Sequence, residues 1–280
     1  MLPENIASRI ATARGVIFDM DGTIALGDKA SGGHVALPGA VELLALLRRR
    51  GVPFRVFTNG SAKPPAAYAA SLRAAGFDLA DHEMMTPTVS AAIWFAANGL
   101  RRVRVLGDPG VETPLLDHGI EVRRASDPGE VDAVFTAWFR DFTFPDLEAG
   151  CEAVWAGARL TTASHVPFFA TAKGRGIGSS FAINKMISAL TGKQAKVLGK
   201  PSRVAFDAAL AAMELPRSAA GQVVVVGDDP ALEMAMARGC GAIGVGMTTG
   251  LMRADTVGGL PEGQQPDAVI DALQEMIALF

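Results

Sequence analysis

Short apolar runs rich in Val, Ile and Phe punctuate the chain, each ending in a polar residue or a glycine: Val16-Ile17-Phe18, Phe54-Arg55-Val56-Phe57 and Val223-Val224-Val225-Val226. They lack the period-two alternation of a strand with one wet face. A continuous apolar run bounded by turn residues is what a parallel strand buried on both faces requires. Between these runs the apolar spacing becomes helical. Pro38 to Arg50 sets Val41, Leu43, Leu44 and Leu47 along one face, and Pro64 to Ala75 reads as an Ala-rich helix stopped by Gly76. Strand and helix in alternation predict an α/β fold with a doubly wound, Rossmann-like parallel sheet.

The middle third repeats the alternation in weaker form. Arg102 to Leu106, Ala133-Val134-Phe135 and Arg159 to Thr162 read as three further strands, so a second, smaller α/β module is expected at residues 86–178. The glycine-rich stretch Lys173 to Gly178 is read as the crossing back. After it, Phe181 to Thr191 reads as a helix ending at Gly192, and Val197-Leu198 as a short strand of the first fold. The expected organisation is therefore a core of residues 1–85 and 179–280, interrupted by an inserted module.

Composition narrows the function classes. At 280 residues the chain has room for two domains, and 49% apolar with 20% charged residues is ordinary for a folded protein. The balance of 26 basic against 29 acidic side chains, net -3, excludes binding to nucleic acid through a strong global positive field, while a local basic pocket stays open. No signal-like or membrane-length apolar run occurs, and Cys151 and Cys240 lack CxxC spacing, so reduced thiols and a cytoplasmic setting are expected, without nucleic-acid or membrane partners. A homodimer is compatible with the sequence.

The chemistry concentrates at strand ends. Asp19-Met20-Asp21-Gly22-Thr23 directly follows the first strand, where an open α/β sheet has its ligand crevice. A carboxylate there can attack phosphorus, and a second one two residues on can protonate the leaving oxygen. Taken alone, the motif is also an ordinary turn or helix cap. Three more segments bear on the choice. Thr58-Asn59-Gly60-Ser61 after the second strand offers a hydroxyl and backbone N–H groups suited to a phosphate, and Lys200 in Gly199-Lys200-Pro201-Ser202, one of seven lysines, offers a compact ammonium. Gly227-Asp228-Asp229 ends the Val-rich strand, and two carboxylates with a backbone carbonyl suffice for Mg²⁺, which keeps several waters. Each segment has a plain structural explanation of its own, as cap, turn or solvated surface; four together favour phosphate chemistry.

In these four motifs, and in their order, the chain resembles the haloacid dehalogenase superfamily. The second acid of the first motif resembles its phosphatases, and the insertion between Thr58 and Lys200 resembles the NagD-like, 4-nitrophenylphosphatase-type branch with a type-two cap. The resemblance implies a Mg²⁺-dependent phosphatase of small phosphomonoesters such as sugar phosphates or nucleotides. It implies Asp19 as nucleophile and Asp21 as general acid and later base. Thr58, Asn59 and Lys200 would form the phosphate site, and Asp19, the Asp21 carbonyl and Asp228 would hold the metal. The chain departs from the branch in reading Leu232-Glu233 where Thr-Asp is common, which leaves Glu233 or Asp229 as the outer metal ligand, with Glu233 favoured. It departs again in Thr162-Ala163-Ser164-His165 on the cap and in a longer flap from Gly27 to Val35. His165, Lys173 and Arg175 are candidates for a second anionic group of the substrate, or solvated loop residues; His34, His82 and His118 have no assigned role. A phosphotransferase or mutase on the same core, and a non-catalytic module that binds a phosphorylated ligand, are the competing readings.

Overall fold

The computed structural model of the chain describes residues 3–28, 33–171 and 174–280. Its contacts divide into two compact units, one of Met1–Thr58, Ala66–Met85 and Phe206–Phe280, the other of Asn59–Pro65 and Thr86–Ala205.

The first unit is built on six parallel strands in the spatial order Ala268–Ile270, Ile243–Met247, Val223–Gly227, Gly15–Phe18, Phe54–Phe57, Met84–Met85. The chain begins in the middle, at Gly15–Phe18, steps outward to one side, and returns at Val223–Gly227 to step outward on the other. The order reverses between those two strands, which makes the gap beyond their carboxyl ends the topological switch point of a doubly wound sheet. Both sheet faces are covered, as the unbroken apolar runs require. Val16, Phe18, Val224 and Val226 pack with Leu43, Leu44 and Leu47 of the helix Ala40–Arg50 and with Ile6 and Ile10 of Glu4–Ala11. Ile17, Val223 and Val225, which alternate with them and so point to the other face, are equally buried.

Three strands of this sheet were not legible as runs. Ile243–Met247 carries Gly244 and Gly246, which break the apolar pattern. A Cβ at Gly246 would stand 2.3 Å from the Met252 sulfur and one at Gly244 3.2 Å from that of Met234, so bulky neighbours supply the apolar contact the glycines lack. Ala268–Ile270 and the two-residue strand Met84–Met85 are too short to show a period.

The second unit has its own five-stranded parallel sheet, in the order Lys196–Val197, Arg159–Thr162, Ala133–Thr136, Arg102–Leu106, Glu121–Arg123. Its segments reach past the expected end at 178. Lys196–Val197 forms its edge strand, and Ile183 and Ile187 of the helix Ser179–Thr191 bury against Leu147, Cys151 and Val154 of Phe144–Trp155. The apolar stripe of 179–191 gave no clue to which sheet it would cover. The glycine-rich stretch is likewise no crossing: Gly174–Ile177 pairs antiparallel with Phe168–Thr171. Among the described residues no helix is long and apolar enough to cross a membrane.

Leu43 is fully buried under the first sheet. Leu43→Ala should lower the unfolding free energy by about 2–5 kcal/mol, read as a shift of the urea midpoint at unchanged slope.

Candidate functional site

Strand register brings three of the singled-out residues to one edge of the first unit. Phe18 is the register partner of both Val226 and Val56, and Asp19 continues the ladder by donating its N–H to the Val226 carbonyl at 2.9 Å. Asp19, Thr58 and Asp228 thus leave three neighbouring strand ends at the switch point, and each is buried. The Thr58 N–H is held by the Met85 carbonyl at 3.2 Å, and the Thr23 hydroxyl donates to Asp19 Oδ2 at 3.4 Å. Asp21 differs. Its loop is closed by Gly22, Ile24 and Ala25 N–H groups bonded to the Ala25 and Met20 carbonyls, and its side chain is 58% exposed. One carboxyl is therefore held in the protein and the other faces water.

Asp228 is gripped by backbone. Its Oδ2 accepts the Leu251 N–H at 2.8 Å, and the chain passes so close at Gly22 and Gly250 that a Cβ there would lie 2.7 Å and 1.9 Å from that oxygen. Gly22 also holds φ +85°, and its carbonyl accepts the Thr249 hydroxyl at 2.5 Å. The two acids that follow Asp228 separate by role. Asp229 Oδ1 caps the short π-helical turn Pro230–Met234 by accepting the Ala231 N–H at 2.8 Å. Glu233 is 1% exposed, folds back across Gly227, where a Cβ would meet its Cγ at 2.1 Å, and accepts the Asp229 N–H at 3.2 Å. Among the described residues no group of three or more His, Cys, Asp or Glu side chains is arranged to hold a metal.

The second unit holds the remaining candidates. Lys200 is 1% exposed, and the Asn59 side chain pairs with its backbone in both directions, Nδ2 donating to the Lys200 carbonyl at 3.0 Å and Oδ1 accepting its N–H at 2.9 Å. Asn59 therefore fixes the Lys200 loop, and Gly199 admits this close approach: a Cβ there would stand 2.3 Å from the Ala163 carbonyl and 2.8 Å from Asn59 Oδ1. His165 Nε2 lies 2.9 Å from Asn184 Nδ2, whose amide is oriented by the Ser188 hydroxyl donating to its Oδ1 at 3.2 Å. The ring nitrogen then accepts, and burial, aided by the Lys185 charge, lowers the His165 pKa. His165 offers an anion a neutral ring rather than a charge. Arg175 is exposed, with its guanidinium 5.6 Å over the Phe168 ring. Lys173 lies outside the described residues.

One residue that the sequence left without a role stands at this edge. His34 Nε2 lies 3.6 Å from Asp21 Oδ1, and its Nδ1 is 2.8 Å from the Ser71 hydroxyl. No ligand spacing announces it, because a hairpin pairing Gly27 with His34 brings it there. The only available signal was the turn-rich stretch between Ala25 and Val35.

Comparison with known proteins agrees on the architecture. A model described as haloacid dehalogenase-like hydrolase matches residues 16–121, and a second, HAD-hydrolase-like model matches residues 197–276. The sugar-phosphatase AraL of Bacillus subtilis is 26% identical over 270 residues, covering 95% of this chain and 92% of that one. Among solved structures, a p-nitrophenyl phosphatase from Archaeoglobus fulgidus superimposes with a TM-score of 0.83 at 24% identity over 96% of this chain and 99% of the other. A glycerol phosphate phosphatase from Mycobacterium tuberculosis, in complex with magnesium, does so at 0.80 and 23% over 96% and 78%.

Gly22 and Gly51 both hold positive φ, but a Cβ at Gly51 meets nothing within 4 Å. Gly22→Ala should therefore destabilise by more than the roughly 1–2 kcal/mol of left-handed strain expected for Gly51→Ala. Urea unfolding of the two variants reads the difference, and equal losses would mean that Asp228 yields freely.

Proposed function

The chain belongs to the haloacid dehalogenase-like hydrolases, and on that premise we propose that it is a phosphatase of small phosphomonoesters that works by transient phosphorylation of Asp19. The observation that carries the reading is the pairing of buried Asp19 and Asp228 on adjacent strand ends at the switch point, beside Thr58 and the exposed Asp21. An Asp19 oxygen attacks phosphorus, the ester P–O bond breaks, and the leaving oxygen takes the proton of the Asp21 carboxylic acid. Asp21, now a carboxylate, removes a proton from water; the water oxygen attacks phosphorus, the bond to Asp19 breaks, and orthophosphate leaves. Thr58 and Lys200 would bind the phosphoryl oxygens, with Asn59 holding the Lys200 backbone.

The donor set suits Mg²⁺. Asp19, Asp228 and the Asp21 carbonyl are all hard oxygen donors, the ligand type of an ion that prefers oxygen and keeps several of its waters. When bound there, Mg²⁺ supplies positive charge that offsets the repulsion between the phosphate and an anionic nucleophile. Glu233, buried and bonded to the Asp229 N–H, would steady the loop that carries Asp228, while Asp229 serves as a helix cap. The sugar, nitrophenyl and glycerol phosphates named for the relatives make those esters the first to try. Arg175 and the neutral His165 are candidates for contacts to the non-reacting part of the substrate.

With Mg²⁺, the purified protein should release orthophosphate from 4-nitrophenyl phosphate and from members of a sugar-phosphate and nucleotide panel, and EDTA should abolish release. Asp19→Asn should lower kcat by at least about 10³-fold, the scale on which loss of a covalent nucleophile acts. Full Mg²⁺-dependent activity in that variant would rule the mechanism out.

A further inference from the structure

Asp21 is asked to deliver a proton to one atom and later to take one from one water, yet its side chain is 58% exposed. An exposed carboxylate samples several rotamers, and misplacement by about 1 Å can cost on the order of 100-fold in rate. His34 lies against this carboxylate. Its side chain is 12% exposed, and Nε2 stands 3.6 Å from Asp21 Oδ1, within ion-pair reach and just beyond a direct hydrogen bond.

His34 is itself held. It sits on the hairpin Ala25–Gly27 with His34–Ala36, whose root is tied to the Asp21 loop by the Gly22 N–H bonded to the Ala25 carbonyl at 2.9 Å and the Leu37 N–H bonded to the Ile24 carbonyl at 2.8 Å. The other ring nitrogen meets Ser71 on the helix Pro65–Ala74 at 2.8 Å. A Ser71 hydroxyl that donates to Nδ1 puts the ring hydrogen on Nε2, facing Asp21. Two anchors, backbone and hydroxyl, thus aim one ring edge at one carboxylate oxygen.

We propose that His34 is a positioning residue for Asp21, holding the carboxyl where it meets the leaving-group oxygen. The inference rests on the phosphatase reading and on the acid–base role of Asp21. It predicts a selective defect: phenolate, with a pKa of about 10 like that of tyrosine, needs a proton as it leaves, whereas nitrophenolate leaves as a stable anion.

The test compares kcat/KM, which reports the phosphoryl transfer to Asp19, for phenyl phosphate and 4-nitrophenyl phosphate with Mg²⁺. His34→Ala should lose about 10- to 100-fold on phenyl phosphate and less than about 3-fold on 4-nitrophenyl phosphate, and His34→Gln, which keeps an N–H of similar reach, should recover most of the loss. Ser71→Ala should show the same selective loss at a smaller factor, and it decides by the same criterion if His34→Ala fails to fold. Equal losses on both esters, or none on either, would overturn the proposal. A wild-type protein that hydrolyses neither ester would instead remove the phosphatase reading, and this inference with it.

Discussion

Everything chemical in the first unit depends on the reversal of strand order between Gly15–Phe18 and Val223–Gly227. Chain that leaves neighbouring parallel strands toward opposite sides cannot fill the space beyond their ends, and a crevice results. The register then decides what faces it. Because Phe18 and Val226 are partners, Asp19 and Asp228, more than two hundred residues apart in sequence, emerge side by side. Two carboxylates brought together repel unless positive charge lies near them, which is the reason the proposed reaction includes Mg²⁺. The glycines at 22 and 250 let backbone close around Asp228, Gly227 leaves room for the Glu233 side chain, and the Leu251 N–H fixes one Asp228 oxygen.

The two acids of the first motif show how one residue of spacing separates environments. Asp19 ends a strand, so its backbone is bound into the sheet and its side chain is buried. Asp21 lies past the turn and reaches solvent. In the proposed reaction those are the conditions each role needs: a nucleophile fixed in place and screened from water, and an acid–base group that can exchange protons with it. The same exposure leaves Asp21 in want of an orienting neighbour, and the hairpin that follows the motif supplies His34.

Much of this was legible in the sequence, for physical reasons. Unbroken Val/Ile runs mark strands buried on both faces, and Asp19, Thr58 and Asp228 each follow one of them, so their meeting at a sheet edge followed from topology rules alone. Other features were hidden. Gly244 and Gly246 disguised a central strand because their apolar contacts come from Met234 and Met252, which lie outside the strand. Helix 179–191 has an apolar stripe that could cover either sheet, and only packing against Leu147 and Val154 decides between them. For the outer ligand the sequence favoured Glu233 over Asp229 and also allowed a cap in this segment; Asp229 does cap the turn Pro230–Met234. His34 was invisible because a hairpin, rather than a helical spacing, carries it to Asp21.

The central claim is that Asp19 is phosphorylated and that Asp21 is then needed to activate water. Asp21→Asn separates the two steps, since nitrophenolate leaves without a proton while hydrolysis of the acyl phosphate lacks its base. Rapid mixing of this variant with 4-nitrophenyl phosphate and Mg²⁺ should give a burst of about one nitrophenol per enzyme followed by a slow phase. Steady release at the wild-type rate with no burst would contradict the covalent mechanism.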